Sequence, residues 1–175
     1  ELVKKAAEGR SDEINTCIAC NQACLDHAFA GKTTSCLVNP RACHETVLNW
    51  GPAEQPKKIA VVGAGPAGLS YATVAAERGH AVTLYDAADE IGGQFNLAKQ
   101  VPGKEEFHET IRYYRTMMEK HQVTVCLGQK IDAQALVDAG FDHVVVATGI
   151  SPRAPDIPGI DNEKVVGYID AIRGN

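Results

Sequence analysis

A strand that runs into a glycine turn and straight on into a helix constrains this chain more than any other feature. Residues 58–63 (KIAVVG) read as a buried strand, and Gly63-Ala-Gly65-Pro-Ala-Gly68 follows it at the mouth of a helix over 66–79. Each glycine has a physical task. Gly63 permits the tight turn, Gly65 lets bare backbone approach a pyrophosphate, and Gly68 lets the helix lie close to the strand. The helix start offers free N–H groups and a positive dipole end to phosphates. Pro66 fits the first helical turn, where a missing N–H costs little. A second strand over 81–86 ends in Asp86, placed where a ribose-binding carboxylate belongs and where a 2′-phosphate would be repelled.

The pattern then repeats. Residues 104–121 form an amphipathic helix with Phe107, Ile111, Tyr114 and Met118 at helical spacing. A third strand covers 123–127, Asp132 is placed to cap a short helix over 133–139, and a fourth strand covers 142–147. Alternating helices and near-continuous apolar strands predict an α/β fold: a Rossmann-like parallel sheet covered on both faces. Ile131, after the third strand, is a candidate adenine contact whose plainer role is core.

Five of six cysteines fall between residues 17 and 43. The spacing Cys17-x2-Cys20-x3-Cys24-x11-Cys36 puts three thiols on one tight loop and brings a fourth from a short excursion. A soft, all-sulfur set suits an iron–sulfur cluster of the cubane type, or zinc. Zinc sites usually pair two CxxC knuckles, which this spacing fits poorly. Cys43 and His44 read as surface or packing residues, and Cys126 as a small buried hydrophobe. The expected division is an iron–sulfur segment over 1–45, a linker over 46–56 carrying Trp50, and a dinucleotide-binding part over 57–175. The chain starts without Met and ends in AIRGN, which reads as a piece of a longer protein.

Charge narrows the partners. Seventeen basic and 22 acidic residues give a net charge of −5 without a block of one sign. That argues against nucleic acid or an anionic membrane surface, and no apolar run approaches a membrane span. A cytoplasmic location is the resulting expectation.

Two further segments select among dinucleotides. Gly92-Gly93-Gln94 follows the second strand, and Ala147-Thr148-Gly149 follows the fourth. Similar segments recur in FAD-binding oxidoreductases that resemble glutathione reductase, where the GG loop lies along the flavin's pyrophosphate. That resemblance implies FAD, with contacts from Gly63, Gly65, Pro66, Ala67, Gly68, Asp86, Gly93, Gln94, Ile131, Thr148 and Gly149.

The stretch CIACNQACLDHAFAGKTTSCLVNPRACHE, followed by the glycine motif and IGGQFN, resembles the bacterial NADPH-dependent 2,4-dienoyl-CoA reductases. Their relatives include trimethylamine and histamine dehydrogenases. The resemblance implies a [4Fe-4S] cluster on Cys17, Cys20, Cys24 and Cys36. It also implies an FMN-carrying barrel and an NADPH domain elsewhere in the same polypeptide. In that family NADPH reduces FAD, the cluster relays single electrons to FMN, and the acyl-CoA is reduced in the barrel. No residue of this chain is therefore expected to be catalytic in the acid–base sense. The alternatives are the matching part of an amine dehydrogenase, or a non-catalytic module holding zinc and a nucleotide.

Overall fold

Ile59, Ala60 and Val61 are almost fully buried, and they form the middle of the central strand. The structure is a computed structural model and describes residues 2–174. The cysteine-rich part contains α1 (Leu2–Ala7), a 3-10 turn (Ser11–Glu13) and α2 (Leu25–Phe29). The second part runs β1 (Lys58–Val62), α3 (Pro66–Glu77), β2 (Ala81–Tyr85), α4 (Phe95–Ala98), α5 (Phe107–Lys120), β3 (Thr124–Cys126), α6 (Ala133–Asp138), β4 (His143–Val146) and α7 (Tyr168–Arg173). All strand pairs are parallel, in the order β3-β2-β1-β4.

Register decides which side chains meet the helices. Ile59 lies opposite Val82, and Val61 lies opposite Leu84 and Val145. These side chains share one face with Leu69, Ala72 and Ala75 of α3 and with Ile111 and Met118 of α5. Small residues at 68, 72 and 75 let α3 pack tightly, since buried area and close contact both scale with approach.

The other face corrects an expectation. It was predicted to be covered, yet Val144 is 44% and Val146 74% exposed. Two right-handed crossovers in one direction place α3 and α5 on the same side. The return crossover from β3 to β4 carries only α6, which buries none of its residues.

Local signals explain most boundaries. Asp132 caps α6, its Oδ1 accepting from the Ala135 amide at 2.8 Å. The helix expected from residue 104 begins instead at Phe107, because Lys104 closes a turn by accepting the Phe107 amide at 3.0 Å. Phe107 then stacks on Phe95, with ring centroids 4.4 Å apart. Residues 168–173, for which the pattern predicts no element, form α7, closed by Gly174 in a left-handed conformation. Cys126 is half-buried rather than buried. His121 is half-buried with its Nε2 unpaired among the described residues.

The two parts are joined by a polar clamp. Arg112 of α5 donates to the carbonyls of Asp12 (2.6 Å) and Ile14 (2.9 Å). Lys120, one helix end away, donates to the Glu13 carboxylate, which also accepts from Arg10 at 2.7 Å. The hydrogen bond from Lys120 is the main cause that holds the Glu13 carboxyl below the usual carboxylate range.

A depressed carboxyl contributes stability above its unfolded pKa, and loses it as pH falls through the folded value. The clamp should therefore be intact at neutral pH and open only at a pH below the ordinary carboxylate range of about 4, where the folded-state carboxyl takes up its proton. Glu13→Gln should speed amide exchange in residues 2–16 several-fold at pH 7 and leave β1 and β2 protected. Acidifying the wild-type chain should produce the same local loss. Exchange unchanged by both treatments would remove Glu13 from the joint.

Candidate functional site

Main chain, rather than side chains, builds the candidate site. Gly63 turns out of β1 at φ 112°, and a Cβ there would sit 2.2 Å from the Ala147 carbonyl oxygen. A Cβ at Gly68 would sit 1.8 Å from the Gly63 carbonyl oxygen. Neither position has room for any side chain, so the ends of β1 and β4 and the first turn of α3 meet backbone to backbone. Gly93 brings a second loop against them, where an added Cβ would reach within 3.1 Å of Gly65 Cα. The Gly92 amide donates to the Ala64 carbonyl at 2.7 Å and fixes that loop.

The result is a groove of about 770 Å³ at the C-terminal ends of the strands. It lies where the chain order reverses, since β2 and β4 flank β1 on opposite sides. Gly63, Gly65, Pro66, Ala67, Asp86, Gly93, Gln94, Ile131, Thr148 and Gly149 all line it. Gly68 does not: it is buried beneath the floor and acts through close packing. Val62, Ala87, Gln129, Lys130, Ala147 and Ile150 complete the lining. Sequence reading selected none of these six as a contact; five of them adjoin a selected residue, and Gln129 does not.

Two residues do more than contact a ligand. Asp86 Oδ2 accepts from the Ala64 amide at 2.6 Å, and Oδ1 from the Ala88 amide at 2.8 Å. A carboxylate has about four acceptor positions, so two remain for ribose hydroxyls. Gln94 has both ends of its amide engaged. Its Nε2 donates to the Ile150 carbonyl at 3.0 Å and its Oε1 accepts from Tyr168 at 2.7 Å. Gln94 thus ties the glycine loop to the segment after β4 while lining the groove.

The fit to a dinucleotide is tested by the start of α3. Gly65 caps this 12-residue helix in an extended conformation, and no side chain accepts from the first-turn amides. Those amides and the helix dipole face an open groove, as a pyrophosphate requires. Among the described residues, Asp86 and Lys130 are the charged side chains in the lining.

The four candidate thiols lie on two tied pieces of chain. The Ser35 amide donates to the Ala23 carbonyl at 2.7 Å, which sets Cys36 beside Cys24 along the backbone. Cys17 and Cys36 line one hollow. Ala19 and Asn21 adopt left-handed φ values of 52° and 59°, rare for residues with a Cβ, and the Ala19 amide donates to Cys17 Sγ at 3.4 Å. All six cysteines are free thiols. Among the described residues, no three His, Cys, Asp or Glu side chains converge as a metal site. Cys43 is exposed, with Thr34 Oγ1 3.2 Å from its sulfur.

Gly65 offers a clean test of the groove. Its φ of −75° suits any residue, and an added Cβ would meet nothing within 4 Å. Gly65→Val should therefore fold with an unchanged circular dichroism spectrum and bind FAD at least tenfold more weakly. Unchanged affinity would mean that the groove is not where the pyrophosphate lies.

Comparison with known proteins agrees with this geometry. The family model for pyridine nucleotide-disulphide oxidoreductases matches residues 57–174. A metal reductase of Desulforamulus reducens is 41% identical over 99% of this chain and 27% of its own length. The N,N-dimethylglycine/sarcosine dehydrogenase of Chromohalobacter salexigens is 36% identical over 99% of this chain and 26% of its own. A solved 2-naphthoyl-CoA reductase complex superimposes with a TM-score of 0.93 at 40% identity, covering 99% of this chain and 26% of that one. The chain thus spans about a quarter of the length of the relatives it matches. With its glycine turn, parallel sheet and switch-point groove, the chain belongs to the pyridine nucleotide-disulphide oxidoreductase family.

Proposed function

We propose that this chain is the electron-transfer portion of an NADPH-dependent oxidoreductase resembling 2,4-dienoyl-CoA reductase, holding FAD in the groove and a [4Fe-4S] cluster on Cys17, Cys20, Cys24 and Cys36. One observation carries the flavin half. Ten of the eleven residues selected for FAD line a single groove at the topological switch point. The first-turn amides of α3 would hold the pyrophosphate, and Asp86 would accept the ribose hydroxyls. Gly93 would let backbone run along the phosphates. Bound there, FAD supplies a centre that takes up a hydride and gives electrons back singly.

The cysteine half rests on donor chemistry. Four thiols on two backbone-tied segments form the soft set that iron–sulfur clusters use. Two non-glycine residues in left-handed conformations between Cys17 and Cys24 are the kind of local strain that collects at functional loops. FMN, NADPH and the acyl-CoA substrate belong, on this reading, to other parts of a longer polypeptide. The likeness to a 2-naphthoyl-CoA reductase supports an acyl-CoA substrate. A second reading, the matching part of an amine dehydrogenase, is favoured by the dimethylglycine/sarcosine dehydrogenase relative.

The test is an absorption spectrum of the anaerobically purified chain, after FAD addition and cluster reconstitution, with iron, sulfide and zinc assayed together. A flavin band with about four irons and four sulfides per chain is expected. Cys20→Ser should lose most of the iron and keep FAD affinity within about twofold. Loss of both together would sink the idea of two separable sites. Zinc with no flavin band would replace the proposal with a zinc- and nucleotide-binding module.

A further inference from the structure

The stretch of chain after β4 is held at a single post. None of residues 148–174 is buried. Among the described residues no ion pair involves them, and both hydrogen bonds that join them to earlier parts of the chain end on Gln94. Gln94 Nε2 donates to the Ile150 carbonyl, and the Tyr168 hydroxyl donates to Gln94 Oε1. Beyond these, α7 packs on α4, the helix that Gln94 caps, and buries none of its own residues.

The post itself is fixed. The Gln94 carbonyl accepts from the Leu97 amide at 3.0 Å and the Ala98 amide at 3.2 Å, and α4 is rooted by buried Asn96 and Leu97. Gly93, beside it, lies against Gly65. The strap has no such root. Gly149, in a left-handed conformation at φ 81°, turns the chain out of β4. Residues 151–167 then hold only hydrogen bonds among themselves, such as Asn162 to Gly159 at 3.1 Å and Val165 to Asn162 at 2.8 Å. A carbonyl needs an N–H and a hydroxyl proton needs an oxygen, so Ile150 and Tyr168 demand the same orientation of the Gln94 amide. Ile150 and Gln94 both line the groove, and Tyr168 does not.

We propose that Tyr168 is a positioning residue of this groove: by holding Gln94 it keeps the Ile150 wall against the glycine loop and sets how long a bound FAD stays. The inference rests on reading the groove as an FAD site. A strap held by two hydrogen bonds opens whenever both release, and a cofactor behind it leaves through that opening. Loss of the Tyr168 hydroxyl acts on the open fraction, so it speeds release and leaves capture nearly as before.

Two measurements test this, one of them without cofactor. Arg153 and Lys164 give trypsin two exposed sites in the strap. Tyr168→Phe, which removes only the hydroxyl, should speed cleavage there about fivefold in the absence of FAD, as loss of one neutral hydrogen bond implies. On a Gln94→Met background the same substitution should add nothing, because both act through one latch. With FAD, polarisation of flavin fluorescence should show dissociation about fivefold faster in Tyr168→Phe and association within about twofold of the wild type. Equal cleavage of wild type and Tyr168→Phe, or additive effects with Gln94→Met, would remove the latch whatever the groove binds. Faster cleavage with unchanged FAD release would overturn the proposal and leave the FAD site standing. A wild-type chain that binds no FAD would take away the reading of the groove, and this inference with it.

Discussion

Ala64 has no freedom, and the groove follows from that. Its amide donates to Asp86 and its carbonyl accepts from Gly92. Gly63 before it and Gly68 four residues on are the two glycines whose neighbours leave no space for a Cβ. One residue thus gathers the ends of β1 and β2, the first turn of α3 and the GG loop. Remove the close approach of α3 to β1 and the helix start swings away from the strand ends. The amides that would meet a pyrophosphate would then point elsewhere. The sheet can tolerate varied apolar residues, but this corner tolerates almost none.

The second constraint is the attachment of the cysteine-rich part. That part buries little: Ile18 is its one residue in the buried hydrophobic set among the described residues. Without much core of its own it is held by polar contacts to α5. Arg112 spreads its guanidinium over two carbonyls, a geometry that lysine could not reproduce. The exposed ion pairs around it add little alone. The clamp's value is positional, because it fixes the loop bearing Cys17 against the dinucleotide-binding part.

Much of this was legible in the residues, for identifiable reasons. Glycine spacing encodes backbone approach, so Gly63, Gly65 and Gly68 could be assigned their tasks before any coordinates. Asp132 capped its helix as its side chain predicts. The cover of the sheet was not legible, since apolar strands announce that they want burial and not what supplies it. The engagement of Gln94 by Tyr168 and Ile150 was equally hidden, because residues 74 and 56 apart share no local pattern. The late start of α5 came from a turn at Lys104 that competed with helix formation. The clamp was invisible for the same reason as Gln94's latch: it joins Asp12 to Arg112 across 100 residues.

That separation sets a timetable for synthesis. The cysteine-rich part leaves the ribosome first, but its anchors on α5 follow 100 and 107 residues later. At about 5–20 residues per second, the delay is roughly 5–20 s. Over that interval the segment bearing Cys17 is without the contacts from Arg112 and Lys120 that hold it in the folded chain.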